Sequence, residues 1–360
     1  MKLSLLAVAA VGFSNAAFLK IESKTTVNND NTGKFSQVME LNLDGILGML
    51  GGGGDAGKNP MLDPNNMLAT VMGGMAKSVD VWIDAKGEKT KLGATRLTLS
   101  GLTKDWVAQG DIKKMLTDLP SSSGLPMNPK DLPEMRAFNV TESGGNKVIS
   151  FMGVDDVLSI VDGLRKTAVK EGKGPKPGEA KVDREQVAGV LQQAKAAYPQ
   201  YKGIAAMFLK DVSISAELTV SGDIVESAVF KKTGPNTVAM TFSGTQLIEL
   251  ADQIIEDEDL PDKVVALVKA VESGFADGSM MPALKTFLTP YMKTIYGGDA
   301  NPRVVFKPGA DAFNYTAESV SAKAGQTPAL KALIEKSEKG RSVTLPGPAP
   351  AEKPAKKKAA

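Results

Sequence analysis

The pattern that most constrains this chain is a recurring pair of alternating apolar and polar segments, each pair joined by a short polar or glycine turn. Residues 18–27 and 34–43 flank the turn Asn28-Asn29-Asp30-Asn31-Thr32-Gly33, 79–85 precedes 94–100, and 137–142 and 147–152 flank Gly144-Gly145. Alternation with period two puts one face of a strand in a core and the other in water, and Asn, Asp and Gly between two such runs mark a hairpin. Residues 212–221, 224–232 and 238–243 supply three more strands. Gly45, Gly101, Gly153 and Gly244 close successive groups, each expected to lead into a helix.

Helical periodicity is expected over 155–169, 183–198, 246–255, 262–271, 280–296 and 328–336. The sharpest stripe is Met281, Leu284, Phe287, Leu288, Tyr291, Met292 and Ile295, with Gly297 placed to cap it. Together these signals predict an α+β fold in which antiparallel β-hairpins form a curved sheet covered by amphipathic α-helices, with a repeated hairpin-helix unit weighed against the independent recurrence of a common motif.

The first seventeen residues carry an address. Lys2 precedes the apolar run Leu3 to Phe13, and Ser14, Asn15, Ala16 and Ala17 follow. A cation, an apolar run too short to span a bilayer and small residues form a secretory signal peptide, with cleavage expected after Ala16 or Ala17. The expected location is therefore the periplasm or the extracellular space, with the secretory pathway or the secondary plastid of an alga as the alternative.

Two missing residue types narrow the chemistry. The chain has no cysteine, so no disulfide stabilises it and its core must suffice. It also has no histidine, which removes Ser-His-Asp and Cys-His catalysis and His-ligated zinc together. No serine has lysine three residues later, so the Ser-Lys spacing of one nucleophilic class is missing too. A non-enzymatic protein without cofactor or metal is the expectation. With 43 basic and 41 acidic residues, nothing in the total charge calls for specific nucleic-acid recognition.

The mature chain divides into an N-terminal α+β region over 18–170, a polar Gly/Pro linker or long loop over 171–182, and a C-terminal α+β region over 183–344. A Pro/Ala/Lys tail over 345–360 has the composition of a disordered segment. The terminal lysines Lys356, Lys357 and Lys358 would let that tail touch an anionic surface.

Gly52 to Asn59 approaches a phosphate-binding loop, but Asn59 stands where a magnesium-binding hydroxyl is needed and Pro60 follows. Acidic residues 256–259, with Asp252 and Asp262 nearby, are weighed for calcium and read as a solvated turn. Asn139-Val140-Thr141 and Asn314-Tyr315-Thr316 are glycosylation sequons that matter only in a eukaryotic host. Met49, Met61, Met67, Met72 and Met75 are gathered among glycines and leucines. Thioether side chains adapt to irregular apolar partners, so these five are either plain packing or the candidate ligand-binding residues, as a movable lid over a lipid-like molecule, with Cu(I) ligation as a remote third.

Two functional classes follow. One is an exported, non-catalytic carrier or binder of an apolar small molecule or lipid. The other is a structural or cell-surface-associated protein attached through its basic tail, with a carboxylate-based hydrolase as a remote third. A sheet covered by apolar helices behind a leader is loosely similar in architecture to periplasmic carriers of lipoproteins or lipids, a likeness that no motif carries.

Overall fold

The computed structural model describes residues 19–41, 63–76, 78–91, 94–113, 134–170, 172 and 183–339. The leader, Gly45, Met49, the glycine-rich loop 52–59, Met61 and the tail 345–360 lie outside the described residues, as does the 171–182 run apart from Gly172.

The architecture is α+β with two sheets. The larger has seven strands in the order β3-β4-β2-β1-β7-β10-β9. Its members are β1 (Leu19–Val27), β2 (Gly33–Leu41), β3 (Val81–Lys89), β4 (Thr95–Thr103), β7 (Ser213–Val220), β9 (Lys231–Lys232) and β10 (Thr237–Ser243). The smaller has the order β5-β6-β11-β8, from β5 (Phe138–Ser143), β6 (Asn146–Phe151), β8 (Gly222–Ala228) and β11 (Arg303–Pro308). Neighbours are antiparallel except β1 and β7, which run parallel with Ile21 opposite Ile214. Hence both sheets draw strands from either side of 171–182.

Eight α-helices are present among the described residues: α1 (Pro64–Met75), α2 (Val154–Lys170), α3 (Arg184–Leu209), α4 (Gly244–Glu256), α5 (Leu260–Gly274), α6 (Met281–Tyr296), α7 (Tyr315–Gly325) and α8 (Pro328–Lys339). Sequence periodicity located six of them and ended α3 too early, because the helix continues through Pro199. It overlooked α1 and α7. Gly153 and Gly244 do lead into helices, whereas Gly101 lies inside β4 and pairs with Phe35.

The two sheets meet over one core. Val27, Leu218, Val220 and Val238 from the large sheet pack with Ile149, Ile224, Val304 and Phe306 from the small one. Trp106 stacks on Phe138 there, with ring centroids 4.0 Å apart. A second core fills the inner face of β2, β4 and β3, where Leu97 and Leu99 are fully buried beneath α1 and α8. Each fully buried Leu of this kind is worth on the order of 2 kcal/mol.

The corner between the sheets is a single residue. After Val220 leaves the large sheet, Ser221 N donates to Val27 O, and Gly222, at φ +148, turns the chain into β8. A Cβ on Gly222 would run into the Lys307 carbonyl. A polar clasp holds the same corner. Asn28, 2% exposed, donates from Nδ2 to Thr32 Oγ1 at 3.0 Å and to Phe313 O at 2.8 Å. Its Oδ1 accepts from Ser221 Oγ at 3.1 Å and Ala312 N at 3.0 Å.

The C-terminal helices wrap the free edge of β3. On the outer face, α7 is fixed by a Lys34–Glu318 ion pair at 2.7 Å, while α8 buries Leu330 on the inner face with Leu68 and Met72. Between them Gln326 Nε2 donates to Trp82 O at 3.0 Å. Covering an edge strand in this way removes a template for unwanted pairing.

Candidate ligand-binding surface

Five helices, α2 to α6, leave the sheets as two excursions, one between β6 and β7 and the other between β10 and β11. Each excursion is rooted where backbones nearly touch. Gly244 N donates to Val212 O at 2.9 Å, and a Cβ at Gly244 would strike the Leu209 carbonyl. Val154 N donates to Ala300 O at 2.9 Å, with Gly153 packed on Ala300 and Asn301. Glycine is required at both positions by this close approach.

The second excursion begins firmly. Ser243 and Gln246 form a reciprocal capping box at the start of α4, satisfying two backbone donors that a helix start otherwise leaves open. Gln246 Nε2 also donates to Ile295 O at 3.2 Å, tying α4 to α6. Tyr296 Oη donates to Met152 O at 2.5 Å, tying α6 back to the end of β6.

What distinguishes this layer is how little of its apolar surface is buried. Across α4, α5 and α6 the only buried large apolar side chains are Leu260 and Pro261, both at the start of α5. Leu250, Ile254, Val264, Leu267, Phe287 and Ile295 are all half-buried. On β7 and β10, Ile214, Ala216, Met240 and Phe242 are half-buried too, although they share the inner sheet face with the buried Leu218 and Val238. Amphipathic helices normally sink such stripes completely into a core. These stripes retain apolar surface in reach of solvent.

Polar contacts fasten α3 over this surface. Tyr198 Oη donates to Asp252 Oδ1 at 2.8 Å, and Lys202 Nζ reaches both Asp252 oxygens at 2.7 and 2.9 Å. The Lys202 ammonium holds the Asp252 carboxyl below its usual range. Burial, and next the Asp252 hydrogen bond, push the Tyr198 phenol up to about 12. A phenol raised in this way stays protonated at neutral pH, so it serves as a donor and not as a base. Arg165, 7% exposed on α2, donates from Nη1 to the Phe275 and Ala276 carbonyls at 2.9 Å each, just past the end of α5. Cationic donors suit those terminal carbonyls.

Of the five methionines expected to bind ligand, the structure describes three, all on α1. Met72 is 0% exposed and Met75 9%, and both sit in the core beneath α8 with Leu68 and Trp82. Met67 is half-buried against the same core. They fill the space between helix and sheet, and the structure does not bring them together with the half-buried faces of α4 to α6. Asp63 caps α1, accepting from Asn65 N and Asn66 N at 3.0 Å, with Pro64 at the first turn. That Asp-Pro start was the signal by which α1 could have been recognised as an ordinary helix.

The acidic residues near 256–259 are tied to cations rather than gathered. Asp257 pairs with Lys263 and Asp262 with Arg184. Among the described residues no group of three or more His, Cys, Asp or Glu is arranged to hold a metal ion, and no helix is long and apolar enough to cross a membrane. Two open clefts flank the wrapping helices. One of about 430 Å³ lies against Val79, Asp80, Trp82, Lys323 and Glu338. The other, of about 490 Å³, lies between α7 and the outer sheet face at Lys24, Lys34, Ser36 and Ser100. Their mixed charge and open shape suit water better than an acyl chain.

No family model and no curated protein matches the sequence. Among solved structures, the chain is similar to the NMR structure of the folded domain of LppM from Mycobacterium tuberculosis, with 7% identity and a TM-score of 0.27 over 64% of this chain and 85% of that one. A likeness at that level says nothing about how this protein works.

Proposed function

We propose that this is an exported, non-catalytic protein that binds a lipid-like apolar molecule on the half-buried faces of α4, α5 and α6. The observation that supports this reading is the near absence of fully buried large apolar side chains from three consecutive amphipathic helices. Apolar surface left in reach of water gains free energy when a ligand covers it, at about 25 cal/mol per Å². Binding of this kind needs no nucleophile or proton shuttle, in keeping with a chain that contains neither histidine nor cysteine.

Native mass spectrometry of the mature protein purified from its exported fraction should show a co-purified apolar molecule, and a fluorescent fatty-acyl probe should bind. Replacing Leu250 and Ile254 with Gln should weaken the probe several-fold, since each half-buried side chain contributes on the order of 1 kcal/mol of apolar contact. A protein that is ligand-free and does not bind the probe would leave the surface-attached class as the better account.

A further inference from the structure

We propose that α3 is a lid over the apolar faces of α4 and α5, held shut by salt-sensitive polar latches. The inference deepens the ligand-binding reading and rests on it for what the lid admits. Among the described side chains of α3 none is fully buried, although the helix runs for 26 residues. Val190 is 69% exposed and Tyr201 63%, and over residues 184–202 the large inward side chains are half-buried Val187, Leu191 and Tyr198.

Over residues 184–202 such a stripe supplies little hydrophobic adhesion, and the specific contacts described there are polar. Near the N-terminus Arg184 Nε donates to Asp262 Oδ1 and Oδ2 at 3.0 and 3.1 Å. Further along, Tyr198 and Lys202 meet Asp252. The far end is anchored differently, with Leu209 packed against Leu19, Ile21 and Val212 in a core of its own. A helix latched by charge at one end and rooted by packing at the other pivots about the packed end. Pro199 removes one backbone donor from the helix, between the Arg184 latch and the packed end at Leu209.

Exposed ion pairs lose strength as salt screens them, the Debye length falling to about 3 Å near 1 M. The test uses full-length mature protein and two measurements. Amide hydrogen exchange of α3 should rise roughly fivefold between low salt and about 1 M NaCl, the loss expected from two surface pairs, while β4 and β7 stay protected. In the cysteine-free background, a Lys202→Cys/Asp252→Cys variant should exchange faster than the parent. After closure with a short bismaleimide it should become slow and insensitive to salt, and fatty-acyl probe uptake should slow in step.

If α3 exchange does not respond to salt, or the cross-linked protein takes up probe at the parent's rate, the lid is overturned. If no form binds probe while α3 still opens with salt and closes with the cross-link, the lid stands and the ligand reading falls.

Discussion

Asn28 gives the sharpest test of what holds the two sheets together. Its amide group serves four partners from three segments: Thr32 in its own turn, Ser221 at the corner, and Ala312 and Phe313 before α7. Truncation to Ala strips the Phe313 carbonyl and the Ser221 hydroxyl of buried partners, while Ala312 N keeps its 2.8 Å bond to Ser221 Oγ. Two to three buried groups left unsatisfied at about 1 kcal/mol or more each amount to about 3 kcal/mol, a large share of the roughly 5–15 kcal/mol that holds a domain folded.

Asn28→Asp separates hydrogen bonding from shape. The carboxylate that replaces Nδ2 faces the Phe313 carbonyl with no proton to donate, so burial raises its pKa above the unfolded value of about 3.9. A carboxyl raised on folding keeps its stability below the unfolded pKa and loses it as pH rises. This variant should therefore lie nearest the wild type at about pH 4 and fall away by about pH 7. Urea denaturation with m unchanged is the assay. A loss below about 1 kcal/mol for Asn28→Ala, or an Asn28→Asp variant indifferent to pH, would refute the claim that this amide clasps the corner.

Other substitutions probe the remaining elements. Gly222→Ala should cost about 4 kcal/mol or more, because the new Cβ meets the Lys307 carbonyl at a backbone angle that L-residues avoid; normal yield and melting would show that the corner has room. Met72→Gln should destabilise by about 2–4 kcal/mol, whereas Met67→Gln stays within about 1, a contrast read by denaturation and erased if α1 packs loosely. Tyr198 should make stability fall between pH 10 and about 12, since its raised folded pKa favours the neutral phenol while the unfolded chain ionises. Tyr198→Phe should flatten that limb of the pH curve, and an unchanged limb would count against the Asp252 contact.

Much of the secondary structure is written in the sequence because its causes are local. Alternation set the strands from β1 to β8 and β10 to within a few residues, and the turn Asn28–Thr32 with its φ +68 at Asn31 marked the first hairpin. Strand β11 escaped notice, a short run beginning just after Pro302 and ending at Pro308, yet it is central in its sheet, with Val304 and Phe306 buried between β6 and β8. Helix α7 escaped because it has no clear apolar stripe. It depends instead on the Asn314 cap, which accepts from Ala317 N at 2.9 Å, and on an ion pair to a distant strand.

Periodicity says which face of an element is apolar but not what that face meets. Met72 and Leu250 are both apolar residues on amphipathic helices, and local pattern does not tell them apart. Tertiary structure buries Met72 completely between α1, the large sheet and α8, and leaves Leu250 on α4 half-buried. Pairing of residues far apart in the chain is decided by long-range packing, as in the parallel contact of β1 with β7 that joins the two halves in one sheet. The sequence by itself determined most strands and most helices, because propensity and turn geometry act over a few residues. Which apolar faces close into core and which stay open was decided only by the fold, because burial depends on partners hundreds of residues away.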